Sequence, residues 1–145
     1  QDENRAFLES RYRLPIPALQ LGQALVGCAN ACLDISDGLL ADVGHICTQS
    51  HVGITIYKNK IPLSGAGREA VENYPEFWKC VYGGGDDYEL LFTIPPEMKE
   101  DVLRISRETQ ISVTQIGEVT AGSHPELLDD KGQKIGDIQA GWVHF

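Results

Sequence analysis

Two short stretches hold the residues that could do chemistry. The first is Asp34-Ile-Ser-Asp37, which leaves the apolar run Ala31-Cys-Leu33 and leads into Gly38 and Leu39-Leu40. Two carboxylates three residues apart on one tight turn can hold a divalent cation, which takes hard oxygen ligands. If a helix starts there, phosphate oxygens can meet its first amides. The second stretch is Gly83-Gly-Gly-Asp86-Asp87, ahead of Tyr88-Glu-Leu-Leu-Phe92. Three glycines let a backbone approach a ligand closely, and the paired carboxylates run straight into an apolar strand. The first stretch is not a calcium loop, because the alternating ligands and closing glutamate of that motif are absent. Each also has an ordinary structural reading. Ser36 or Asp37 would cap a helix within a turn, and the glycines would form a loop before a core strand.

The elements that position these turns follow from hydrophobic spacing. Small and apolar residues predict a buried strand ending at Asp34. Leu39, Leu40, Val43 and Ile46 then recur at helical spacing, so an amphipathic helix runs from 38 to about 49, capped by Ser36 or Asp37. Upstream, residues 3–12 read as a helix with Phe7, Leu8 and Tyr12 inward, ended by Leu14-Pro-Ile-Pro17. A second helix covers about 18–26, with Leu19, Leu21 and Leu25 available to pack and Gly27 closing it. Downstream, the pattern predicts a strand over 52–57, a helix over 66–74 and a strand over 88–94. A helix from Pro96 to about Thr109 follows, with Met98, Val102, Leu103 and Ile105 on its apolar side. A strand over 111–119 and a hairpin turning at 130–133 and returning to Ile138 complete the chain. Trp78 reads as a core anchor. Helices and strands are mixed and the late pairings are hairpin-like, so the expected fold is α+β with a mixed sheet packed by helices.

Composition narrows the function classes. The 145 residues suit one domain with a real core. No apolar run reaches the length of a membrane span. The polar start Gln1-Asp-Glu-Asn-Arg5 is unlike a signal peptide and reads as a chain entered midway through a larger protein. The four cysteines, Cys28, Cys32, Cys47 and Cys80, lack close pairing and read as buried free thiols of a cytoplasmic protein. A net charge of −9 argues against nucleic acid. It allows a polyphosphate ligand if magnesium lies between the two sets of negative charge. His45, His51, His124 and His144 share no ligand spacing and read as structural or solvated.

Taken together, Asp34-Ile-Ser-Asp-Gly-Leu39, Gly84-Gly-Asp-Asp-Tyr-Glu-Leu-Leu-Phe92 and the closing Gly141-Trp-Val-His-Phe145 resemble the carboxyl-terminal domain of bacterial thiamine-monophosphate kinases. Arg13-Leu-Pro-Ile-Pro17 and Gly53-Ile-Thr-Ile56 also fit, so the likeness covers essentially the whole chain. The wider superfamily includes aminoimidazole ribonucleotide synthetase and selenophosphate synthetase, two-domain proteins that bind ATP with magnesium. The resemblance implies that Asp34 and Asp37 bind magnesium, that Ser36 contacts ATP, and that Asp86 and Trp142 hold thiamine monophosphate. Asp86 stands where the family usually has glutamate, and so reaches one methylene less far. Asp87, Gly84 and Gly85 take shaping roles.

The implied reaction moves the γ-phosphoryl group of ATP onto the phosphate of thiamine monophosphate, giving thiamine diphosphate and ADP. That acceptor has a second pKa of about 6 and needs no general base. Residues 1–13 would be an interdomain helix or linker, and residues 14–145 the substrate- and Mg-ATP-binding domain. The family's amino-terminal domain carries further acidic ligands, most of the nucleotide site and the contacts of a homodimer. It is absent here, so the isolated chain is expected to be inactive. Two other readings stay open: a sister enzyme of the superfamily, and a non-catalytic acidic module holding structural metal.

Overall fold

The computed structural model describes residues 2–136. Two small sheets carry the architecture. Ala31–Asp34 (β1) pairs antiparallel with Leu90–Thr93 (β3), Ala31 opposite Thr93 and Asp34 opposite Leu90. In the second sheet Gly53–Tyr57 (β2) is central. It runs antiparallel to Gly117–Thr120 (β4) and parallel to Pro125–Leu128 (β5). A central strand is covered on both faces, which is why Gly53 to Ile56 are all buried and read as a nearly continuous apolar run. The fold is α+β with a mixed sheet, as the sequence predicts.

Leu39–Ser50 (α3) joins the two sheets. Its Leu39, Leu40, Val43, Ile46 and Cys47 form one core with Ile54 and Ile56 of β2, Leu91 of β3, Leu127 of β5 and Tyr82. Burying each such aliphatic side chain contributes about 1.5–3 kcal/mol, so the start of α3 is held from both sides. A second core joins Leu21 and Leu25 to Val102 and Ile105. The first two belong to Leu19–Ala24 (α2) and its cap. The last two belong to Lys99–Thr109 (α6), and they lie on one face at helical spacing.

Several expectations are corrected. The helix Asp2–Arg13 (α1) forms, but none of its residues is buried, and Phe7, Leu8 and Tyr12 are exposed rather than inward. Leu19 is likewise 69% exposed, because α2 is only six residues long and presents Leu21 to the core. The strand expected over 111–119 is confined to β4, since Ile111 and Val113 pack on the second core instead of pairing with β2. Pro96–Met98 forms a 3-10 turn, and α6 begins at Lys99. The helix expected over 66–74 is present as Gly65–Asn73 (α4), capped by the Ser64 hydroxyl accepting from the Gly67 amide at 3.0 Å. An unanticipated helix, Trp78–Gly83 (α5), follows it.

Trp78 packs against the main core and stacks on Tyr82 with ring centres 5.4 Å apart, so its anchoring role holds. All four cysteines are free thiols, but only Cys47 is buried; Cys32 and Cys80 are exposed. The hairpin turn at 130–133 is held by Asp129, whose Oδ1 accepts from the amides of Lys131 and Gln133, both at 2.8 Å. Its return reaches Lys134, which bridges to Leu128; Ile138 lies outside the described residues. Among the described residues no helix is long and apolar enough to cross a membrane.

Candidate functional site

Asp34 ends β1 with its side chain exposed, and the pairing with the other chain segment continues past it. The Ile35 amide donates to the Glu89 carbonyl at 2.9 Å, and the Tyr88 amide returns a bond to the Ile35 carbonyl at 2.8 Å. One residue further on, the Asp86 amide donates to the Ser36 carbonyl at 3.0 Å. The two acidic turns therefore face each other across one end of a single hydrogen-bonded ribbon. Asp34, Ser36 and Asp86 lie together at its edge.

The second turn is held in a costly shape. Asp86 and Tyr88 have φ of 66° and 52°, in the left-handed region that side chains other than glycine adopt at roughly 1–3 kcal/mol each. Bonds to the carbonyls of Ser36 and Ile35 hold both residues there. The Tyr88 hydroxyl also donates to Asp86 Oδ1 at 3.0 Å, which orients that carboxylate. This bond, with the negative charges of Asp86 and then Asp34, pushes the Tyr88 phenol up from its ordinary range.

The first turn is shaped by Gly38 and Asp42. Gly38 occupies the cap position of α3 with φ 108°, so neither Ser36 nor Asp37 caps the helix as expected. A Cβ at Gly38 would lie 2.9 Å from the carbonyl carbon and oxygen of Gly83, so glycine is what lets α3 begin against the end of α5. Asp42, one turn into the helix and only 3% exposed, accepts from the Ser36 and Asp37 amides with a single oxygen, each at 3.0 Å. Those two amides are thus occupied from within the chain. These amides precede α3, whose own first amides, those expected to meet phosphate, begin at Leu39.

Sequence reasoning passed over Asp42, which reads as a polar interruption of an apolar helix face. The signal that could have found it is a carboxylate at the first helical turn, where the positive end of the helix dipole and free amides lie. His45 was expected to be structural or solvated; its Nε2 stands 3.5 Å from Asp37 Oδ2. One side-chain donor atom from each of Asp37, Asp42 and His45 lies within 4.8 Å of the other two.

The edge is dense in negative charge. Asp87, next to Asp86, has its carboxyl pushed up to about 6, first by desolvation and then by Glu89 and Asp86. Arg11 on α1 reaches across to Glu89, Nη2 to Oε1 at 3.0 Å. None of Asp34, Ser36, Asp37 or Asp86 lines the cavities of about 240 and 340 Å³, although His45 lines the larger of these two. Trp142 lies outside the described residues.

Residues 6–130 match the family model described as AIR synthase related protein, C-terminal domain. The chain belongs to this family. It is 33% identical over 147 residues to thiamine-monophosphate kinase of Haemophilus influenzae, covering 99% of this chain and 44% of that protein. Among solved structures it is similar to thiamine-monophosphate kinase from Stenotrophomonas maltophilia K279a, at 33% identity and a TM-score of 0.81. That match covers 86% of this chain and 39% of the other. It is also similar to AaThiL complexed with AMPPCP and TMP, at 32% identity and a TM-score of 0.76, covering 98% of this chain and 42% of the other. The chain spans less than half the length of the curated relatives it matches. Within the family frame, the described part of the site offers hard oxygen ligands and a strained, hydrogen-bonded acidic loop.

Proposed function

We propose that this chain is the carboxyl-terminal, substrate- and Mg-ATP-binding domain of a thiamine-monophosphate kinase. The observation that carries this reading is the ribbon of bonds from Ile35 to Glu89, Tyr88 to Ile35 and Asp86 to Ser36, which brings both acidic turns to one edge. Its relatives' names and the AMPPCP and TMP held by AaThiL support the same choice of ligands. AMPPCP is ATP with a methylene group in place of the β–γ bridging oxygen, and both it and a phosphate monoester carry more than one negative charge. An edge this acidic can approach them only with cations between.

The residues fit magnesium. Asp34 and Asp37 supply hard carboxylate oxygens, Asp34 exposed and Asp37 half-buried at the turn. In this reading those two aspartates hold the metal and Ser36 contacts ATP. Asp86, oriented by Tyr88, positions thiamine monophosphate, and Trp142 provides a ring for its cationic heterocycle. Magnesium, when bound, offsets the repulsion between the two phosphates that must meet in line. The chain's own contribution is positioning, since the acceptor is largely dianionic near neutral pH and no side chain has to remove its proton.

The exposed apolar residues of α1 support the assignment of residues 1–13 as an interdomain helix or linker, with residues 14–145 as the domain proper. The preceding domain would supply the remaining acidic ligands, most of the nucleotide site and the contacts of a homodimer. Calorimetry on the complete polypeptide tests the function. Magnesium-dependent binding of ATP together with thiamine monophosphate supports the kinase. A preference for another phosphorylated substrate points to a sister enzyme, and indifference to all nucleotides and phosphates to a structural metal module.

A further inference from the structure

Asp42 has no role in the reading above, yet it is the most constrained carboxylate near the site. It is 3% exposed on the first turn of α3. A buried carboxylate costs several kcal/mol unless hydrogen bonds or opposite charge offset it. Here the offset comes from two backbone N–H groups on one oxygen, both at 3.0 Å, and from the positive end of the α3 dipole. The donors are the amides of Ser36 and Asp37, two of the residues whose side chains the proposed site uses.

This geometry has two consequences. The backbone of residues 36 and 37 is tied to the first turn of α3, so the Asp37 carboxylate is presented at a set distance from Asp34 and the ribbon edge. In addition, a pair of amides that could cradle an oxyanion is already filled by an internal one. We infer that Asp42 is a positioning residue of the cation site, locking the 36–37 turn and closing its amide pair to phosphate, so that anions reach this turn only through a metal ion. This rests on the proposed metal role of Asp34 and Asp37. Asp42 acts through its acceptor oxygen and not as a ligand.

Asparagine separates these roles, because it keeps an acceptor oxygen for the two amides and loses the charge. In the complete polypeptide, Asp42→Ala should raise the magnesium concentration for half-maximal turnover about 10–100-fold, the usual effect of removing a residue that orients a metal ligand. Turnover at saturating magnesium should change less than about 3-fold, and Asp42→Asn should stay within about 3-fold of wild type in both. Amide hydrogen exchange at Ser36 and Asp37 should speed up at least tenfold in the alanine variant only. A wild-type magnesium requirement in Asp42→Ala overturns the inference, as does an asparagine variant as impaired as alanine. If alanine prevents folding, asparagine decides alone, a loss above tenfold in magnesium affinity counting against positioning. Should the wild type transfer no phosphate at all, the kinase reading fails. Magnesium calorimetry and amide exchange then still decide the role of Asp42.

Discussion

Replacing Gly38 with alanine tests whether the two acidic turns depend on one close backbone contact. The residue has φ 108°, and an added Cβ would meet the Gly83 carbonyl carbon and oxygen at 2.9 Å and its Cα at 3.1 Å. Carbon atoms in contact prefer about 3.5–4.0 Å, so the start of α3 and the end of α5 would have to part by roughly 0.5–1 Å. The conformational strain costs about 1–3 kcal/mol, and the overpacking about the same again. The expected loss is about 2–6 kcal/mol against a domain stability of about 5–15 kcal/mol. With a urea dependence of about 2 kcal/mol per molar, the unfolding midpoint should fall by about 1–3 M. Gly65→Ala is the control: it is the first residue of α4, with no atom within 4 Å of the added Cβ. That change should leave the midpoint unmoved or raise it slightly. Amide exchange should report the same event locally, with Asp86 and Tyr88 losing protection in Gly38→Ala. Equal midpoints for the two variants would refute the contact as the element joining the turns.

Three further outcomes are expected. In the complete polypeptide, Asp34→Asn and Asp37→Asn should each lower turnover at least 100-fold, roughly the upper end for losing a metal-site group. Their melting should barely change, because the side chains of Asp34 and Asp37 are exposed and half-buried at the surface; a collapse in thermal stability would instead favour a purely structural turn. Asp87 titrates near 6 in the folded chain against an ordinary value of about 3.9. Between these values the folded state binds more protons than the unfolded one, so this group makes stability fall as pH rises from about 4 to about 6, and levels off above. Urea melts across that range should show a shallower decline for Asp87→Asn, and parallel curves would count against the shift. Finally, purified residues 1–145 with ATP, magnesium and thiamine monophosphate should form no thiamine diphosphate above background, measured by chromatography.

How much of this was legible in the residues depends on how local each feature is. Helical spacing of Leu39, Leu40, Val43 and Ile46 located α3, because it reflects which face of the helix meets the core, and β-rich residues located β2, although that strand is buried on both faces. The family motifs were equally readable, as they need only residue type and order. The apolar residues of α1 misled for the same reason: spacing shows what a face could bury, not whether a partner is present, and Phe7 and Tyr12 stay exposed. Ile111 and Val113 look like strand residues but answer to α6 and α2, a choice made by packing and not by alternation.

The site itself shows the same division. Asp34, Ser36, Asp37 and Asp86 could be picked from their chemistry, yet nothing in the order of residues says that Asp86 donates its amide to Ser36. That follows from the antiparallel register that sets Asp34 opposite Leu90, which aligns two segments far apart in the chain. The left-handed backbone of Asp86 and Tyr88 is likewise paid for by bonds to the other segment. Asp42 is the clearest case, since a buried carboxylate becomes favourable only where folded backbone points two N–H groups at it. Side-chain periodicity is a property of each element alone, whereas hydrogen bonds between elements exist only after both have formed and docked.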